Sequence, residues 1–175
     1  MTAVNSSYEI SQRSLASQNK EELEILLETL FKINLKTILE IGIDQGGSIK
    51  TWREVFPRAW IMGIDINPLA KNSDCNEFWL MDSVNAIDSV SSSILERGGL
   101  NFLFIDGDHT ERGCQTDFDL YSPLVKPGGV IAFHDVWLRD HPSVEVYKVW
   151  DRVKKLFSYK EFKFRGGTGT GVLFV

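Results

Sequence analysis

A chain of 175 residues that is 43% hydrophobic and 25% charged is sized for one domain with one sizeable core, which excludes a disordered chain. Its net charge of −5 argues against a nucleic-acid-binding module, and no apolar run approaches the roughly 18–20 residues of a membrane span. The first residues have neither the basic nor the apolar stretch of a secretory signal, and Cys75 and Cys114 are too few for a disulfide framework, so a cytoplasmic protein with reduced thiols is expected.

Residues 1–18 are polar and aperiodic and read as a loose arm of a single domain spanning residues 1–175. From Asn19 to Lys32 the pattern is helical, with Leu23, Leu26, Leu27, Leu30 and Phe31 on one stripe. Asn19 with Glu22 three residues on matches a capping box. The period then changes. Thr37 to Ile41 is a short apolar strand ending at Gly42, and Gly46-Gly47-Ser48 opens a helix to about Phe56. Trp60 to Ile64 and Phe78 to Met81 are strands ending at Asp65 and Asp82. Ser83 to Arg97 is a helix with Val84, Ile87, Val90 and Ile94 inward, stopped by Gly98-Gly99. Leu100 to Ile105 is a strand ending at Asp106, and Thr110 to Tyr121 a helix. After a Lys126-Pro127-Gly128-Gly129 turn, Val130 to Phe133 is a fifth strand ending at His134-Asp135. A helix from about Ser143 to Phe157 follows, then strands from Tyr159 to Phe164 and Gly171 to Val175. The short Gly-rich connection between these two permits only an antiparallel hairpin.

Continuously apolar strands alternating with helices predict an α/β fold, a doubly wound and mostly parallel sheet covered on both faces. Residues 139–165 hold eight Lys/Arg against four Asp/Glu, read as a solvated face or a surface toward an anionic partner.

Five expected strands in succession end in an acidic or Gly-rich cluster, and in open α/β sheets ligands bind outside the carboxyl ends of the strands. In the first cluster, Glu40 to Ser48, Gly42 and Gly46 allow a tight turn before a helix N-terminus. It is neither a G-x-G-x-x-G fingerprint nor a P-loop. Asp65 stands where a carboxylate would accept hydrogen bonds from both ribose hydroxyls. Asp82 and Ser83 could reach an adenine edge, or Ser83 could simply cap its helix.

The E-I-G-x-x-x-G run, the two strand-ending acids and the closing hairpin resemble class I S-adenosylmethionine-dependent methyltransferases. The segments Phe104-Ile105-Asp106-Gly107-Asp108-His109-Thr110, Leu124 to Gly129 and Phe133-His134-Asp135 resemble methyltransferase family 24 and its cephalosporin-hydroxylase-like and macrolide-sugar O-methyltransferase relatives. The resemblance implies strand order 3-2-1-4-5-7-6 with strand 7 antiparallel. It also implies S-adenosylmethionine as cofactor, held by Glu40, Gly42, Gly46, Ser48, Asp65, Ile66, Asp82 and Ser83.

The expected reaction is methyl transfer to a hydroxyl of a small molecule or sugar. With Asp106 and Asp135 ending adjacent central strands, two carboxylates face one crevice and suit a divalent metal such as Mg²⁺. The metal-dependent relatives carry an acidic pair where this chain has His134-Asp135. A His134 ligand shifts the preference toward Mn²⁺, Fe²⁺ or Zn²⁺, unless His134 only hydrogen-bonds. His109 matches the relatives' general base, and the bland alternative is a helix-capping histidine; Asp108 either orients it or caps that helix. His141 reads as solvent-facing. Trp52, Trp60, Trp79 and Trp150 read as core, and Trp137 as a wall of the acceptor pocket or of nothing in particular.

The partners expected are a hydroxylated small molecule, with no nucleic acid and no membrane, and a homo-oligomer is left open. Two other readings stand beside this one. A non-catalytic S-adenosylmethionine-binding module is kept open by the short arm and the lack of large insertions after strand five. A dinucleotide-dependent oxidoreductase is disfavoured by the missing third glycine and the closing hairpin.

Overall fold

The structure, a computed structural model, describes residues 3–16, 18–164 and 168–175, the side chains of residues 3–6 excepted. Two helices, α1 (Ala3–Arg13) and α2 (Lys20–Leu30), precede a seven-stranded sheet. The strands are β1 (Thr37–Ile41), β2 (Trp60–Asp65), β3 (Glu77–Leu80), β4 (Leu100–Ile105), β5 (Val125–Phe133), β6 (Ser158–Phe162) and β7 (Thr170–Phe174). Between them lie α3 (Gly47–Val55), α4 (Ser83–Glu96), α5 (Glu111–Tyr121) and α6 (Val146–Val153). The order is β3-β2-β1-β4-β5-β7-β6; β1 to β5 run parallel, and β7 is antiparallel to β5 and β6. This is the expected order. Among the described residues no helix is long and apolar enough to cross a membrane.

Strand alternation divides the core into two layers. In the β1/β4 register Ile38 pairs with Phe102 and Leu39 with Leu103. Ile38, Phe102 and Phe104 face Leu23, Leu27, Leu30, Ile49 and Trp52 of α2 and α3. Leu39, Leu103 and Ile105 face the other way, toward Val90 and Ile94 of α4, Phe118 and Tyr121 of α5, and Val149 and Trp150 of α6. Every residue of β1 and β4 is buried, which is why these strands read as unbroken apolar runs. Each large side chain removed from water stabilises the fold by about 1.5–3 kcal/mol, so the central strands are its most firmly held part and a rigid base for what their ends carry.

Several expectations are corrected. The arm is not loose: α1 packs on α2, burying Ile10 beside Ser7 and Ser11. Ser14 then bonds Thr51 at 2.6 Å and Arg13 pairs with Glu54, tying the segment to α3. In α4, Val84 faces solvent, and Ala86 takes the buried place with Val90 and Ile94. β5 begins at Val125, before the expected turn, because its pairing with β4 shifts register between Leu100 and Phe102. The helix expected from Ser143 is α-helical only from Val146.

Part of the basic stretch is paired: Arg139, Lys148 and Lys154 with carboxylates of the stretch itself, and Arg152 with Glu111 of α5. Cys114 is buried and Cys75 half-buried, both free thiols. Trp52 and Trp150 are fully buried, and Trp60 and Trp79 pack against the core.

Candidate active site

The carboxyl ends of β1, β2, β4 and β5 open into one cavity of about 760 Å³. Of the expected residues, Glu40, Gly42, Ser48, Asp65, Ile66, Asp82, Ser83, Asp106, His109, His134 and Asp135 all line it. Gly46 and Trp137 do not; Trp137 packs against the core instead.

One half of the cavity is built by the β1–α3 turn. Gly42 has φ +85°, and a Cβ there would lie 2.2 Å from the Asp106 carbonyl oxygen. Only glycine lets the ends of β1 and β4 approach this closely. Gly46, at φ +69°, caps α3 against the Lys71 carbonyl, so its role is to shape the turn from behind. Asp65 braces the loop from β2. Its Oδ2 accepts from the Ile43 and Asp44 amides at 2.9 and 2.8 Å, and its Oδ1 from the Asn67 amide at 2.7 Å.

Below the turn, Glu40 is almost fully buried and accepts from the Ser48 hydroxyl and, at 2.6 Å, from Trp52 Nε1. Burial pushes its carboxyl up to about 8 against those two hydrogen bonds, and Asp106 and Asp65 add to the rise. Asp82 is the cap of α4, accepting from the Val84 amide at 2.8 Å, so Ser83 is not the cap. The Ser83 hydroxyl instead donates to Asp117 at 2.5 Å. Burial raises Asp117 to about 6.

The other half is a knot of carboxylates and imidazoles. Asp106 Oδ1 lies 3.3 Å from His109 Nε2 and 3.3 Å from His134 Nδ1. Asp135 reaches His109 Nδ1 and His134 Nδ1, each at 3.5 Å. Its φ of +60° is a left-handed conformation that aspartate tolerates better than most residues. Burial alone would raise Asp106, but the two imidazoles outweigh it and hold its carboxyl below the usual range. The hydrogen bond to Asp106 raises His109. Burial opposes a charge on His134, yet Asp106, Glu22 and Asp135 together push it up to about 11. Ligand atoms of Asp106, His134 and Asp135 all lie within 4.8 Å of one another.

Capping does not need His109. Thr110 caps α5, with Asp108 bonded to the Thr110 amide at 2.9 Å and lying over the first turn. His141 is exposed, as expected.

Two residues of the site escape sequence reasoning. Gln18 donates to Asp106 Oδ2 at 2.9 Å, and Glu22 lies 3.2 Å from His134 Nε2. Glu22 was legible only as a capping-box partner. Its other signal is a place on the helical stripe with Leu26 and Thr29, where a charge is out of pattern.

The family model for a methyltransferase domain, methyltransferase family 24, matches residues 39–136. The chain belongs to this family. Among curated relatives, the mycinamicin VI 2''-O-methyltransferase of Micromonospora griseorubida is 27% identical over 113 residues, covering 61% of this chain and 28% of that protein. The demethylmacrocin O-methyltransferase of Streptomyces fradiae is 27% identical, covering 61% and 29%. The chain thus spans less than a third of the length of either relative. Among solved structures, the MycE methyltransferase in complex with Mg, SAH and mycinamycin VI superposes with a TM-score of 0.64 at 17% identity, over 96% of this chain and 52% of that one. The O-methyltransferase from Bacillus cereus in complex with SAH gives 0.69 at 15% identity, over 100% and 91%. These likenesses are of fold.

Proposed function

We propose that the cavity binds S-adenosylmethionine and that the chain transfers its methyl group to a hydroxyl of a sugar or other small molecule. The observation that carries this reading is a single cavity in a methyltransferase-family chain. One wall is a glycine turn braced by a strand-end acid, and the other is a cluster of two imidazoles and two carboxylates. The relatives named above are O-methyltransferases, which supports a hydroxyl acceptor.

On the nucleoside side, three backbone amides already occupy three of the roughly four lone-pair sites of Asp65. That leaves room for one ribose hydroxyl rather than two. Ile66, Asp82 and Ser83 border the space beyond it, where an adenine would lie against Ile66. Ser48 and Glu40 support the turn from beneath and reach the ligand less directly.

S-adenosylmethionine supplies a methyl activated by a positive sulfur, so the residues must place the acceptor in line and take its proton. His109 is suited to the second task. Its side chain is a third exposed, and it stands beside Asp106 and Asp135. Its Nε2 and Nδ1 face Asp106 and Asp135 at 3.3 and 3.5 Å, so one nitrogen takes the hydroxyl proton by leaving its carboxylate for the acceptor while the other stays beside its own.

The donor set fits a divalent cation: two carboxylates and an imidazole converge, with both acids buried or nearly so. Asp106, His134 and Asp135 would hold it, and it would lower the pKa of an acceptor hydroxyl. The mixed oxygen and nitrogen set favours Mn²⁺ over Mg²⁺.

The test is transfer of labelled methyl from S-adenosylmethionine to a panel of hydroxylated sugars, with EDTA and then with added Mn²⁺. Turnover should vanish in chelator and return with metal, while S-adenosylhomocysteine binding persists throughout. Full turnover in chelator overturns the metal assignment. Binding without turnover on any acceptor makes the chain a binding module.

A further inference from the structure

Glu22 is a buried carboxylate that the mechanism above does not use. Its side chain is 0% exposed, although its neighbour Glu21 on the same helix is in solvent. Burying a carboxylate is costly unless its oxygens are satisfied, and here each oxygen has one partner. Oε1 accepts from Thr168 Oγ1 at 2.7 Å, and Oε2 lies 3.2 Å from His134 Nε2. Glu22 comes from α2, ahead of the sheet, and Thr168 from the β6–β7 connection, so a hydroxyl of one distant segment aims a carboxylate of another at the ring nitrogen.

The consequence falls on the opposite nitrogen. With Nε2 facing Glu22, Nδ1 is the atom that faces Asp106 and Asp135, at 3.3 and 3.5 Å. A carboxylate behind the outer nitrogen of a ligating histidine fixes ring orientation and makes the inner nitrogen a better donor. Gln18 does the parallel service for Asp106. Its Nε2 holds Oδ2, which leaves Oδ1 turned toward the imidazoles.

We infer that Glu22 is a positioning residue that holds His134 through Nε2, so that Nδ1 is the nitrogen presented to the cation. This rests on the metal reading above. The first two helices then complete the site as well as cover the sheet.

The test uses the full chain and two variants, Glu22→Gln and Thr168→Val. The second keeps the carboxylate and removes the hydroxyl that aims it. Mn²⁺ affinity is read by the free-ion electron paramagnetic resonance signal. Glu22→Gln should bind about 10–100-fold more weakly, the usual effect of losing such a partner. Thr168→Val should show a smaller loss, and both variants should bind S-adenosylhomocysteine like the parent. In the Zn²⁺-loaded, ¹⁵N-labelled parent, His134 should carry a proton on Nε2 and a metal-shifted Nδ1.

A parent that takes up neither ion overturns the metal reading and this inference with it. A parent that binds Mn²⁺ while folded Glu22→Gln binds it equally well overturns the positioning role alone. So does a metal-shifted Nε2. If Glu22→Gln fails to fold, unchanged Mn²⁺ affinity in Thr168→Val is the overturning result.

Discussion

Replacing Asp65 with alanine removes the brace that shapes the cofactor side of the cavity. Three backbone amides at 2.7–2.9 Å lose a charged acceptor. A hydrogen bond to a charged group contributes roughly 1.5–3 kcal/mol, which sets a ceiling of about 4.5–9 kcal/mol for three. The net loss must be smaller. Asp65 is half-buried and Asp44 exposed, so water re-solvates part of what is released. A net destabilisation of about 2–3 kcal/mol follows, and at about 2–4 °C per kcal/mol for a chain of this size Tm should fall by about 5–10 °C. The turn that loosens is the one proposed to receive the ligand, so S-adenosylhomocysteine should bind on the order of 100-fold more weakly, about 2.7 kcal/mol. Scanning calorimetry and titration calorimetry on the same preparation read the two effects. Asp65→Asn should fall between, because its amide accepts through one oxygen and turns a donor toward the other amides. An Asp65→Ala protein with parental Tm and parental affinity would refute both the brace and the pocket.

His109→Ala should lower the maximal rate by about 10²–10⁴-fold, the worth of a positioned base, with S-adenosylhomocysteine affinity nearly unchanged. Because Thr110 and Asp108 already cap α5, a variant with parental turnover and reduced Tm would contradict the geometry. Glu40 gives a pH prediction. Burial, opposed by Ser48 and Trp52, raises its folded-state value from 4.5 to about 8. The stability it contributes is therefore fully present below about pH 4.5 and is lost as pH rises through 8. Glu40→Gln, which cannot ionise, should gain on the parent between pH 5 and 9 by on the order of a few kcal/mol at about 1.4 kcal/mol per unit. A Tm difference that stays constant across that range would show Glu40 is not held neutral.

The sheet was legible because its strands are buried on both faces, so the period of the apolar pattern changes cleanly at each boundary. The candidate site was legible where topology writes it: Asp65 ends β2, and Asp82, Asp106 and Asp135 follow β3, β4 and β5, whose carboxyl ends share one edge. Legibility fails where a residue's role depends on packing between distant segments. α1 has Ile10 as its buried hydrophobic anchor and places Ser7 and Ser11 inside, so no apolar stripe announces it. In the sequence Glu22 fits a capping box, and only the approach of α2 to His134, just past β5, turns its side chain inward. Gln18 carries no periodic signal at all. Ser83 shows the reverse error: a residue with good capping chemistry is passed over because Asp82, one position earlier, already holds the Val84 amide.

Everything proposed here rests on the cavity beyond the glycine turn being a site for S-adenosylmethionine. Titration calorimetry of the full chain with S-adenosylhomocysteine, and separately with NAD, tests it most directly. Saturable one-to-one binding of S-adenosylhomocysteine that weakens in Asp65→Ala is expected, with no binding of NAD. Saturable binding of NAD with none of S-adenosylhomocysteine would contradict it.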